Sequence, residues 1–188
     1  MATRILLLSC LLCFSFAAMA EAPQPGLLHR SVLDSGKTLS WMLEGSSALG
    51  WRLTVSDAGR LLVEADLGAC AFCAGEEDNC AANGIFLREV AGIDKPLAIA
   101  VCHVGVHSQR LQLFDPAFSN SAPAMQITGS FYVDWSIDAR HRLLIEWDGE
   151  QNHIPGCHVE TDSSLVMAPA QNRLLLDSAC YRTGNSAD

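Results

Sequence analysis

Residues Trp51–Asp66 read WRLTVSDAGRLLVEAD. Trp51, Leu53 and Val55 alternate with Arg52, Thr54 and Ser56, the period-two pattern of a strand with one buried face. Asp57-Ala58-Gly59 interrupts the alternation, and glycine supplies the positive φ that a tight reversal needs. Arg60–Asp66 then returns as the partner strand, so this stretch reads as a β-hairpin. Working upstream, Thr38–Glu44 reads as a further strand, with Gly45–Gly50 as its loop. Downstream, Gly84–Val90, Leu97–His103, Ala124–Thr128 and Ser130–Ser136 carry the same strand signature. No segment sustains a helical period; Ala20–Leu33 and residues 76–83 leave room for a short turn at most. The expected class is all-β: antiparallel hairpins in a sandwich or a partial propeller-like arrangement, stapled by disulfides.

The hairpin pattern recurs along the chain. Ile137–Glu146 resembles Val55–Glu64, Met167–Asp177 is a looser copy, and Val106–Asp115 is another with a shortened turn. In each, an arginine (Arg60, Arg110, Arg142, Arg173) opens an apolar strand that ends in an acid. The last two arginine spacings, 32 and 31 residues, suggest stacked hairpin units, whereas a propeller blade needs about 40 residues. Trp41, Trp51, Trp135 and Trp147 all fall on these strands, where packing is the expected role and a stacking platform for a substrate the alternative.

Residues 1–20 have the layout of a secretory signal peptide. Arg4 precedes an apolar run, and Ala18-Met19-Ala20 places small residues before the expected cleavage after Ala20. The run is too short to span a bilayer, so a periplasmic protein with no transmembrane segment is expected. Residues 21–30 are expected as a flexible lead, 31–182 as a single all-β domain and 183–188 as a flexible tail. Loss of Arg4 would take the formal charge from −9 to −10. Such a surface repels nucleic acid and anionic membranes, and suits solubility or a basic partner.

Six cysteines lie beyond the leader: Cys70, Cys73, Cys80, Cys102, Cys157 and Cys180. An even number in an exported chain reads as a disulfide framework. Cys157 and Cys180 flank a predicted hairpin and could meet, and Cys70 or Cys73 could reach Cys102 or Cys80. The Cys70-Ala-Phe-Cys73 spacing also occurs in redox proteins, but Gly75, Asn79, Asn83 and Gly84 break the segment that would have to form an activating helix. Zinc would require a second close ligand pair, for which Cys102-His103 with His107, or Cys157-His158 with His153, are the nearest sets. The reading that follows is a staple, with no metal and no cofactor.

No strong catalytic motif is found: the chain has neither G-x-S-x-G nor H-E-x-x-H, and no P-loop. His103 and His107 would share a strand face, and Asp134, Asp138 and Glu146 cluster across the Trp135 hairpin. Paired carboxylates can serve glycoside hydrolysis, but acids at strand ends recur through the chain, which fits solvated edges or arginine pairing better. The expectation is a binding protein rather than an enzyme, with its function on loops held by a rigid sheet. Three loops stand out: Ser46 and Ser47 in a small polar turn, Glu76, Glu77 and Asp78 in an acidic cysteine-flanked segment, and His107 and Ser108 at a hairpin turn.

The leader, the length under 200 residues, the scattered cysteines, the Gly45-Ser-Ser-Ala string and hairpins of the Val55-Ser-Asp-Ala-Gly-Arg-Leu-Leu-Val type together resemble periplasmic immunity proteins. These accompany type VI secretion effectors, particularly those that neutralise cell-wall amidases. The resemblance implies an inhibitor that binds a secreted toxic hydrolase, a basic effector being the electrostatic complement of this acidic chain. It transfers no individual residue's role. A periplasmic binding or envelope-associated module without inhibitory activity is the alternative.

Overall fold

The stretch around Asp57 folds as read. In a computed structural model of the chain, which describes residues 23–72, 83–117, 121–149, 152, 154, 157–164 and 168–176, Asp57 pairs with Arg60 across Ala58 and Gly59. Both turn residues have positive φ, 47° and 85°, the handedness that matches strand twist in a two-residue hairpin. This hairpin joins β3 (Gly50–Asp57) to β4 (Arg60–Gly68), and β1 (Leu28–Val32) and β2 (Thr38–Ser46) complete an antiparallel sheet in chain order. A middle sheet follows, also in chain order, from β5 (Gly84–Arg88), β6 (Leu97–His103), β7 (Gln109–Phe114) and β8 (Met125–Gly129). The C-terminal sheet contains β9 (Val133–Ile137), β10 (Leu143–Asp148), β11 (Val159–Asp162) and β12 (Gln171–Leu176). Its order is β9-β10-β12-β11, so β11 lies at an edge and β12 inside. Every regular element among the described residues is a strand, and all the sheets are antiparallel.

The middle sheet is covered on both faces. Along β6, Ala98, Ala100 and Cys102 join Leu39, Leu43, Leu53, Val63 and Leu67 of the N-terminal sheet in one core. Leu97, Ile99 and Val101 join Leu143, Ile145, Trp147 and Leu174 of the C-terminal sheet in a second. This explains the unbroken apolar run of β6: alternation is lost where neither face meets water. The N-terminal sheet keeps its alternation. Leu39, Trp41, Leu43, Leu53, Val55, Val63, Ala65 and Leu67 are buried, while Glu44, Arg52, Glu64 and Asp66 stand outside.

Several expectations change in detail. β1 starts at Leu28, inside the lead expected over 21–30 and where only a short turn had room. Its residues pair with Thr38–Met42, and Gly26 N–H donates to the Leu43 carbonyl (2.7 Å). Gly45 and Ser46 extend β2 rather than opening a loop. The strand expected over Ser130–Ser136 begins only at Val133. The four hairpin copies are not equivalent: the Asp57 turn joins the third and fourth strands of its sheet, the Asp138–Arg142 turn the first and second. The chain divides instead into three four-stranded sheets, Leu28–Gly68, Gly84–Gly129 and Val133–Leu176, the first two in chain order and the third not. Each is a little over 40 residues, the length of a propeller blade rather than of a 31-residue repeat.

The tryptophans are structural. Trp41, Trp51 and Trp147 are buried, and Trp135 lies edge-on to Phe86 at 4.8 Å, beneath the Arg88 guanidinium. No helix among the described residues is long and apolar enough to cross a membrane.

Candidate protein-contact face

The connections at one end of the stack are tied together by sulfur and by hydrogen bonds. Cys70, just past β4, is bonded to Cys102 near the end of β6, with Cα atoms 5.7 Å apart. Its carbonyl accepts the Trp51 indole N–H at 2.8 Å. Ala71 and His103 exchange backbone hydrogen bonds beside it, both 2.8 Å. The Arg110 guanidinium of β7 donates to the Leu67 carbonyl, and burial lowers its pKa against the opposing pull of Asp66. Cys70 is therefore paired across sheets with Cys102, one of the expected combinations, and is not half of a C-x-x-C redox couple. Cys157 is likewise in a disulfide. Cys73, Cys80 and Cys180 lie outside the described residues.

On this base sits the β8–β9 connection, Ser130-Phe131-Tyr132. Asp148, at the end of β10 and 4% exposed, accepts the Phe131 and Tyr132 backbone N–H groups on a single carboxylate oxygen, both at 2.9 Å. Its carbonyl accepts the Ser130 N–H at 3.1 Å. Gln109, 1% exposed, accepts the Val133 N–H at 2.9 Å. The turn can come this close only because Gly129 and Gly149 lack a Cβ, the space being taken by the Tyr132 carbonyl and the Ser130 side chain. Two buried polar side chains thus fix a turn whose central side chain, Phe131, remains 54% exposed.

Two other connections lie at this end, one of them beside Phe131. The His107 ring is 5.9 Å from the Phe131 ring, and its loop is closed by a Val104 N–H to Ser108 carbonyl bond of 2.9 Å. Val106, at the tip of that loop, is 88% exposed. In the β2–β3 turn, Ser46 Oγ accepts the Leu49 N–H at 3.2 Å and leaves the Leu49 side chain 92% exposed.

Behind Tyr132, the outer face of the C-terminal sheet forms a cleft of about 420 Å³, lined by Tyr132, Glu146, Glu160, Asp162, Gln171 and Arg173 among others. Strand register aligns Asp134, Glu146, Arg173 and Glu160 in one row across four strands. Arg173 Nε lies 3.5 Å from Glu146 Oε1, leaving the row with more acid than base. The Tyr132 phenol has its pKa raised by burial and then by Asp148, Glu146 and Asp134.

The expected site residues divide accordingly. Ser47 and His107 are exposed, Ser46 and Ser108 half-buried, and all four lie at or beside the connections at this end of their sheets. Glu76, Glu77 and Asp78 lie outside the described residues. His103 ends β6 and His107 stands in the following loop, so they do not share a strand face. Asp134 and Glu146 are direct cross-strand partners, while Asp138 lies at the opposite end of β9, bonded to Arg142 at 2.7 Å. Leu49, Val106, Phe131, Tyr132 and Asp148 join the face without having stood out in the sequence. The available signal is the pair of small-residue breaks, Gly129-Ser130 and Asp148-Gly149, which the fold brings together.

Fold and site together define a class: an all-β stack of four-stranded sheets, linked by a disulfide, that presents loops at one end. No family model matches the chain, and no curated protein or solved structure matches it.

Proposed function

We propose that this chain is an exported, immunity-type inhibitor that binds and neutralises a secreted toxic hydrolase with the loops at one end of its sheets. The observation that carries this reading is the exposure of Leu49, Val106 and Phe131 on connections whose backbones are held by Ser46, Ser108, Asp148 and Gln109. A chain gains nothing in its own stability from holding an aromatic ring in water. A pre-ordered apolar anchor loses little conformational entropy when a partner covers it. The cysteine framework supports an oxidising compartment, and the formal charge of −9 supports fast capture of a basic effector.

The test is co-purification of the chain from the periplasm of the cells that make it, followed by titration of the recovered partner's hydrolytic activity. A stoichiometric complex whose activity falls to background at about one equivalent of inhibitor is the expected result. Recovery of the chain alone, or of a partner whose activity is unaffected, would contradict the proposal.

A further inference from the structure

Phe131 is exposed, yet its turn is more tightly specified than exposure alone requires. Asp148, Gln109 and two close-packed glycine positions all serve to place three residues. Phe131 and Tyr132 are consecutive and point to different surroundings: Phe131 meets His107 on the loop side, and Tyr132 forms a wall of the cleft on the C-terminal sheet. An apolar anchor and a cleft rich in carboxylates are therefore fixed side by side by the same aspartate. Within the cleft, Glu146 and Glu160 lie opposite Arg173, Asp162 adds a further carboxylate to the lining, and Asp134 extends the row beside Glu146. A partner covering Phe131 places its adjoining surface over this cleft, where cationic side chains are attracted and anionic ones repelled.

We infer that Phe131 is the central anchor of the partner interface, and that the partner segment it meets carries lysine or arginine side chains that enter the Tyr132–Glu146–Glu160 cleft. This rests on the inhibitor reading for the identity of the partner as a hydrolase, but not for the geometry of the contact. The Tyr132 pKa, raised first by burial and then by the carboxylates of Asp148, Glu146 and Asp134, is in accord with it. Apolar contact supplies the hold, and charge supplies the choice of partner and the rate of encounter.

The experiment places the photoreactive analogue p-benzoyl-phenylalanine at position 131 of the full chain, expressed in its own cells, with the same analogue at Ala139 as a control. Ala139 lies in the β9–β10 turn at the other end of the stack. Irradiation should give one adduct from position 131 and none from Ala139. Mass spectrometry should map the adduct to a segment with lysine or arginine within a few residues. The double variant Glu146→Gln/Glu160→Gln should lower the adduct yield at least about fivefold, the loss of two attractive charges at the contact. No adduct from position 131, equal adducts from Ala139, an acidic segment, or a yield unchanged by the double variant would each overturn the inference. An adduct with a basic segment of a protein that is not a hydrolase would uphold the contact and refute the inhibitor reading. Inhibition of a hydrolase without an adduct from position 131 would do the reverse.

Discussion

Asp148 and Asp138 show how differently one side chain can act at two ends of a sheet. Asp148 is buried and accepts two backbone N–H groups from the turn that carries Phe131. Asp148→Ala leaves those donors without a protein partner, at a cost of about 2 kcal/mol, read as a lowered urea midpoint with unchanged slope. Asp148→Asn keeps one acceptor oxygen and should cost about half as much. If the turn carries the proposed interface, affinity for the proposed partner should fall in the same order. Asp138 is half-buried and closes the β9–β10 turn. It accepts the Arg142 backbone N–H (2.9 Å) and the Arg142 guanidinium (2.8 Å), and the Arg140 backbone N–H (2.8 Å), which hold its pKa down to about 2 from 3.8. Because the folded pKa lies below the unfolded one, its contribution is present above about pH 4 and is lost as the pH falls through about 2. Melting temperature followed across that window should drop more steeply for the native chain than for Asp138→Asn, and equal slopes would refute the assignment. Neither role can be read from composition. Asp138 is visible as a turn acid, but Asp148 acts on a turn 16 residues away in sequence, through sheet pairing.

At the scale of the strands, what is legible is what is local. The Trp51–Asp66 hairpin matches the observed strands within two residues at its ends, because alternation and turn chemistry agree there. β6 also keeps the bounds its sequence suggests, although its continuous apolar run gives no face, and only the third dimension shows both faces to be covered. The spacing near 31 residues misleads because similar hairpins occupy different positions within their sheets, and the sheets themselves differ in strand order. Phe131 reads as a strand residue because Ser130–Ser136 alternates, and nothing nearby announces the carboxylate that bends the chain there. Cys70, Cys102 and Cys157 are legible as staples, but sequence leaves the pairing of Cys70 open between Cys102 and Cys80. Cys70–Cys102 closes a separation of 32 residues between β4 and β6, and loop-entropy arguments assign such a bridge about 3.5 kcal/mol. The Cys70→Ala/Cys102→Ala chain should show that loss in guanidinium unfolding. It should also loosen the Trp51 indole from the Cys70 carbonyl, seen as a red-shifted Trp51 emission in a chain with the other tryptophans replaced by phenylalanine.

For the whole molecule, the doubly covered middle sheet decides how the fold comes apart. If the C-terminal sheet left, Leu97, Ile99, Val101, Leu111 and Leu113 would lose the partners they share with it. At roughly 2 kcal/mol for each large apolar side chain, that exposure alone is of order 10 kcal/mol, as large as the total stability of an ordinary domain. Departure of the N-terminal sheet would uncover Ile85, Leu87, Ala98, Ala100 and Phe114 and would strain against the Cys70–Cys102 link. The sheets should therefore unfold together, although each has the size of an independent repeat. The tryptophans make this measurable, because Trp41 and Trp51 report on the N-terminal core and Trp135 and Trp147 on the C-terminal one. In Trp41→Phe/Trp51→Phe and in Trp135→Phe/Trp147→Phe, the remaining fluorescence should follow the same denaturant transition as far-UV circular dichroism of the same chain. A fluorescence midpoint displaced from the dichroism midpoint in either variant would mean that a sheet can leave by itself. The loop end would then be an assembly of separable parts, and the fixed spacing between Leu49 on the first sheet and Phe131 beside the third could not be maintained for a partner.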